Sequence, residues 1–194
     1  MLTLQHIQER RDIMTLKGIP RNTDTTRLIV ELVSLLKPYT YIELGVKSGY
    51  TFNKISPLVK RAIGVDQAGF RGIVEYPHIE LRKMTTDAFA EIWVGDIDFL
   101  FIDACHEKEQ VLEDFNNFFP WVKSYTGIIC MHDTYPIKKE LAVDGYCGTA
   151  WEAAKEIRNK SIYNKFCEIV TIPGPWFGMS IIRKVAEDKH LEWM

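Results

Sequence analysis

Two short runs constrain this chain more than anything else: DFLFIDA, residues 98–104, and GIICMHD, residues 127–133. Each holds a nearly continuous apolar stretch closed by an acid, Asp103 in the first and Asp133 in the second. Strands of that kind are covered by helices on both faces, which means a parallel α/β sheet. The rest of the chain keeps the rhythm, with short apolar runs alternating with segments of helical spacing.

Along the chain, TTRLIVELVSLL predicts a first helix with Leu28, Leu32 and Leu35 on one face, capped by Asp24 and stopped by Lys37-Pro38. Strand one is TYIELG. In TFNKISPLVK, the spacing of Phe52, Ile55, Leu58 and Val59 is helical, and Pro57 makes the helix kink or end early. RAIGVD and IELRKM are strands two and three, and DAFAEIWV is a short helix before strand four. The next helix, KEQVLEDFNNFF, carries an apolar stripe of Val111, Leu112, Phe115, Phe118 and Phe119. After strand five and a long loop, Thr149 and Glu152 form a potential capping box. Two last strands flank Pro173-Gly174-Pro175, and so short a link favours an antiparallel hairpin over another βαβ crossover. Five βα units and a terminal hairpin follow.

At 194 residues the chain is expected to be one domain, 1–194, with residues 1–22 as an N-terminal extension that could cover a ligand. Lys plus Arg number 24 against 26 Asp plus Glu, a net charge of −2, which disfavours a non-specific nucleic-acid binder. The N-terminus lacks the apolar stretch of a signal peptide, and no segment reaches the roughly 18 apolar residues of a membrane span. Cys105, Cys130, Cys147 and Cys167 form no CxxC pair, which fits a reduced, cytoplasmic location.

In an open α/β sheet, ligands bind beyond the carboxyl ends of the strands. Gly45 and Gly49 stand there after strand one, where a missing Cβ lets backbone N–H groups approach a ligand. Asp66, at the end of strand two, can accept hydrogen bonds from both hydroxyls of a ribose. The alternative is a plain tight turn and a helix cap. The pattern is not the GxGxxG of a dinucleotide site. Tyr135 and Lys139 match YxxxK, but Pro136 follows the tyrosine and the match is accidental.

Glu43 ahead of this turn makes ExGxxxG, which resembles motif I of the class I S-adenosylmethionine (SAM)-dependent methyltransferases. The resemblance implies a doubly wound, mostly parallel seven-stranded sheet with an antiparallel last strand, the Rossmann-like methyltransferase fold. It also implies SAM as cofactor, held by Glu43, Gly45, Ser48, Gly49, Asp66, Asp87 and Asp103, with Glu43 near the methionine ammonium and Asp87 beside the adenine.

Asp103 ends strand four, His106 follows three residues later, and His132-Asp133 ends strand five. Adjacent strands lie about 5 Å apart, so two carboxylates and two imidazoles converge, and a bound cation is one answer to such a like-charge pair. The stretch DFLFIDACHEKEQVLEDFNNFFPWVKSYTGIICMHDT is similar to that of the macrocin-type sugar O-methyltransferases and the cephalosporin hydroxylase-like group. That likeness implies that Asp103 and Asp133 bind Mg²⁺ or another divalent cation and that His106 is the general base. At His132 the family carries Glu as a third metal ligand, so His132 is either a ligand or a supporting residue. His106 has a rival role as a helix cap or solvent-facing group.

The expected activity is methyl transfer from SAM to a hydroxyl of a small molecule, a glycoside being one class, without nucleic-acid or membrane partners. A homo-oligomeric partner could complete a substrate pocket that this short chain lacks. The alternatives are an NAD(P)-dependent oxidoreductase and a SAM-binding protein without catalysis.

Overall fold

The computed structural model describes residues 23–160, 163, 165–174 and 177–185. The segment 1–22 and Trp176 therefore lie outside the described residues.

Seven strands form one sheet in the order β3-β2-β1-β4-β5-β7-β6. They are β1 (Thr40–Leu44), β2 (Arg61–Val65), β3 (Ile79–Arg82), β4 (Phe99–Ile102), β5 (Ile128–His132), β6 (Cys167–Ile172) and β7 (Met179–Lys184). The first five pair in parallel, and β7 inserts antiparallel between β5 and β6. Strand order reverses at β1, so the carboxyl ends of β1 and β4 border the switch point where ligands bind. The expected fold is present, including the antiparallel terminal hairpin.

The helices are α1 (Thr23–Leu36), α2 (Phe52–Ile55), α3 (Thr86–Ile92), α4 (Lys108–Phe118) and α5 (Ala150–Asn159). Among the described residues no helix joins β2 to β3, so four βα connections stand where five were expected. Pro57 ends α2 at Ile55 and sits in a 3₁₀ turn, Ser56–Leu58.

Side chains alternate along each strand and build two cores. Ile42, Leu44, Leu100, Ile102, Ile129 and Met131 meet α3, α4 and α5 on one face. Tyr41, Phe99, Phe101 and Cys130 meet α1 and α2 on the other. Covering both faces is what made strands four and five continuously apolar.

Three local expectations change. On α1 the fully buried residues are Ile29 and Val33, while Leu35 is 78% exposed. The core-facing stripe lies one position along from the predicted leucines, and Leu28 and Leu32 flank it. Asp24 lies within the helix. Thr149 makes no side-chain cap to α5. Its hydroxyl instead accepts the Lys108 N–H at 2.7 Å, in the first turn of α4, whose own N-cap residue Glu107 offers none.

Candidate active site

The turn after β1 is built by backbone strain and close packing. Gly45 and Gly49 have φ of +92° and +70°, and Lys47 between them has +51°. A Cβ on Gly45 would fall 2.2 Å from the Asp103 carbonyl oxygen, and one on Gly49 would fall 2.3 Å from Ile73 Cδ1. Both glycines are thus required by the protein's own packing, and Gly45 brings the turn directly against the end of β4. Ser48 is exposed at the tip. Asp66 ties this turn to the next loop, its two oxygens accepting from Lys47 N at 2.7 Å and Ala68 N at 2.8 Å. Each oxygen keeps a second lone pair for a ribose hydroxyl.

Glu43 is buried, and the Tyr41 hydroxyl donates to its Oε2 at 2.6 Å. Burial pushes the Glu43 carboxyl well above its ordinary value; the Tyr41 hydrogen bond opposes this and the Asp103 charge adds to it. Burial therefore favours the neutral form of Glu43, with the Tyr41 hydroxyl as its hydrogen-bonding partner. Asp87 lies in the first turn of α3, where its Oδ1 accepts from Gln110 of α4 at 2.9 Å.

The polar residues beyond β4 and β5 do meet. His106 Nε2 lies 3.0 Å from Asp133 Oδ2 and 3.8 Å from Asp103 Oδ1. His132 Nδ1 lies 3.2 Å from Asp103 Oδ1 and 3.2 Å from Asp133 Oδ2. Asp133 adopts a left-handed φ of +60°, which turns its carboxylate back from the strand end toward His106. Asp and Asn tolerate that conformation better than most residues.

The carboxylates hold both imidazoles protonated. Hydrogen bonding to Asp103 and Asp133 raises His106 to about 11. Burial would lower His132, but the charges of Asp103 and Asp133 outweigh it and raise it to about 10. Burial likewise works against ionisation of Asp103 and Asp133, yet the His132 charge and the His106 contacts leave both carboxyls below the usual range. Two anions and two cations compensate one another.

Donor chemistry is compatible with a divalent cation. The ligand atoms of Asp103, His106 and Asp133 lie within 4.8 Å of one another. His132 Nδ1 is buried and, though close to both carboxylates, aims a hydrogen bond at neither. His132 is not among the three converging residues, and its ring packs edge-on against Phe101 and Phe177, each with centroids 6.2 Å away.

Some neighbours had no signal in the sequence. Phe177, just before β7, contacts His132 and Tyr146. Tyr41, Tyr146 and Cys147 reach the site through hydrogen bonds from positions no motif marks.

Residues 42–134, which run from β1 to just beyond Asp133, match a family model described as a methyltransferase domain. The matched stretch, a little under half of the chain, is similar to a methyltransferase domain, and that likeness favours methyl transfer over the oxidoreductase alternative. No curated protein matches the chain at a significant level. Solved methyltransferases share its fold at low identity. The O-methyltransferase TomG from Streptomyces achromogenes, involved in tomaymycin synthesis and solved with SAM, is 11% identical with a TM-score of 0.63, covering 92% of this chain and 87% of TomG. An O-methyltransferase from Bacillus cereus in complex with SAH is 13% identical with a TM-score of 0.59, over 93% and 89% of the two chains. The N-methyltransferase NodS from Bradyrhizobium japonicum is 11% identical with a TM-score of 0.55, over 86% and 99%. Enzymes that methylate oxygen and nitrogen share this methyltransferase fold, so the acceptor atom must be argued from the site. No described helix is long and apolar enough to cross a membrane.

Proposed function

We propose that the chain is an O-methyltransferase moving a methyl group from SAM to a hydroxyl of a small molecule. The observation that carries this is the contact between the glycine turn and the acid–imidazole cluster: Gly45 packs on the Asp103 main chain, so the cofactor turn and the proton-handling groups share one edge. Nitrogen acceptors need less help, whereas a neutral hydroxyl is a poor nucleophile and needs a group to take its proton. Positioning supplies much of the remaining acceleration.

SAM supplies a methyl on a sulfonium, which the acceptor oxygen displaces in line. Asp66 binds the ribose hydroxyls, Asp87 lies on the adenine side, Ser48 and the main chain around Gly45 and Gly49 line the methionine side, and Glu43 with Asp103 closes the floor. His106 Nε2 is the proton acceptor. Asp103 and Asp133, with His132 beside them, are the residues that would hold a divalent cation. Such a cation would compensate the two carboxylates in place of the imidazolium charges and acidify a hydroxyl bound to it. The ion-paired state described here keeps His106 protonated, so activity requires that this charge be taken over. The finer likeness to macrocin-type sugar enzymes and the cytoplasmic location rest on motif residues and on four free cysteines.

The test is methyl transfer from labelled SAM to a panel of small phenols and glycosides, with the His106→Ala and Asp103→Asn variants alongside. The expected products carry methyl on oxygen, and His106→Ala lowers turnover by roughly 100-fold or more. Methyl found on nitrogen, SAM binding without transfer to any acceptor, or unchanged turnover in His106→Ala would each overturn the proposal.

A further inference from the structure

Four consecutive residues in the loop after β5 all grip the proposed proton acceptor and its partner. The Tyr146 carbonyl oxygen accepts a hydrogen bond from His106 Nδ1. The Cys147 thiol, fully buried, lies 3.8 Å from Asp133 Oδ1, the carboxylate whose other oxygen faces His106. Gly148, with φ of +50°, passes so close that a Cβ would fall 2.5 Å from the His106 carbonyl oxygen and 3.0 Å from its Cβ. Thr149 donates its N–H to the His106 carbonyl at 2.8 Å, while its hydroxyl takes the Lys108 N–H.

We propose that Tyr146–Thr149 is a positioning clamp that fixes the orientation and tautomer of His106. It rests on the reading of His106 as proton acceptor. A carbonyl oxygen can only accept, so Nδ1 must carry the hydrogen, and Nε2 is the nitrogen left to exchange a proton with substrate. The ring cannot flip without breaking the Tyr146 contact. Gly148 is the residue type that permits this approach, because any side chain there meets main chain. Thr149 secures the same point from the other side by capping α4, which begins two residues after His106. None of the four residues needs to touch substrate, so they are positioning rather than catalytic residues.

The loop itself is anchored for this role. Leu141 is buried beneath it, and Cys147 N donates to Leu141 O at 3.0 Å. Tyr135 N donates to Phe177 O at 2.7 Å, fastening the loop's start to the end of the hairpin connection. A clamp held at both ends transmits little slack to His106.

The test is ¹⁵N-edited NMR of the imidazole N–H groups in the full chain, with the His106 signal assigned by its loss in His106→Gln. Wild type is expected to show a slowly exchanging Nδ1–H for His106. Gly148→Ala should abolish that signal. Thr149→Val, which is less disruptive to folding, should speed its exchange about fivefold, the worth of one hydrogen bond, and Thr149→Ser should restore it. SAM affinity by calorimetry should change less than about twofold in the Thr149 variants, because the clamp acts on His106 and not on the cofactor turn. An Nδ1–H equally protected in wild type, Gly148→Ala and Thr149→Val would overturn the clamp, as would equal losses in Thr149→Val and Thr149→Ser. The readout needs no turnover. If His106→Ala methylates normally, the proton-acceptor reading fails while this signal still judges the clamp.

Discussion

Asp114 lies in α4, the helix that starts just after His106, and it is fully buried. Its Oδ1 accepts from Gln110 Nε2 at 3.2 Å, but Oδ2 has no hydrogen-bond partner. Burial pushes the carboxyl up to about 6 from an ordinary 3.8, against hydrogen bonds from Thr86 and Gln110 that pull it down. The folded state therefore binds the Asp114 proton more tightly than the unfolded chain does. Stability from this group is fully present below the unfolded value and is lost as pH rises through about 6. Integrated over the shift, the loss is about 3 kcal/mol, of which about 2 kcal/mol falls between pH 4.5 and pH 8.

Asp114→Asn removes the titration and keeps the Oδ1 acceptor. Its amide N–H₂ lands where Oδ2 has no partner, which costs about 1–3 kcal/mol at every pH. The difference between variant and wild type must therefore change with pH, the variant gaining about 2 kcal/mol on wild type from pH 4.5 to 8. For a chain of this size that is a relative shift in Tm of roughly 4–8 °C. Thermal melts of both proteins by circular dichroism across that range measure it. A Tm difference that stays constant to within a degree would refute the reasoning, because it would mean that Asp114 titrates alike in the folded and unfolded chains.

Gly49→Ala should cost about 1–2 kcal/mol for the left-handed backbone, plus the clash with Ile73. Adding Ile73→Ala should recover only the clash part in urea melts of the four proteins, and strict additivity of the two changes would count against the packing described for the turn. Binding of Mn²⁺ should release protons, because both histidines of the cluster are held protonated between pH 6 and 8. One proton displaced per ion raises affinity about tenfold per pH unit, which calorimetry in buffers of different ionisation enthalpy detects, and tight binding without proton release would show that the cluster does not hold the ion.

The fold was legible because its signals are local and repeated. Continuous apolar runs at 99–102 and 128–131 announced strands covered on both faces, and the Pro-Gly-Pro link announced the hairpin. What misled was register and partner choice. On α1, leucines at 28, 32 and 35 make as regular a stripe as Ile29 and Val33, and nothing in the helix alone says which stripe meets the sheet. At Thr149 the capping pattern was correct in kind, since the hydroxyl does cap a helix, but the helix is α4, more than 40 residues back in the chain. Sequence spacing describes neighbours along the chain, and a cap is satisfied by whichever N–H the tertiary fold brings near.

The site shows the same division more sharply. Asp103, His106, His132 and Asp133 could be placed together because strand ends in a parallel sheet put side chains at one edge. Their charge balance could not be foreseen. In the sequence alone the two carboxylates read as a like-charge pair in want of a cation. The structure shows two imidazoles already filling that role, at 3.0 Å and 3.2 Å. That arrangement is stable at rest and wrong for catalysis, since an imidazole held at about 11 cannot take a proton from a hydroxyl at neutral pH. On the proposed reading the ion-paired cluster is a resting state, and a cation that binds at Asp103 and Asp133 does so by displacing His106 and His132 as their counter-ions. The clamp at 146–149 bears on that moment: when the carboxylates lose their hold on Nε2, the Tyr146 carbonyl still keeps Nδ1, and the ring stays aimed at the site.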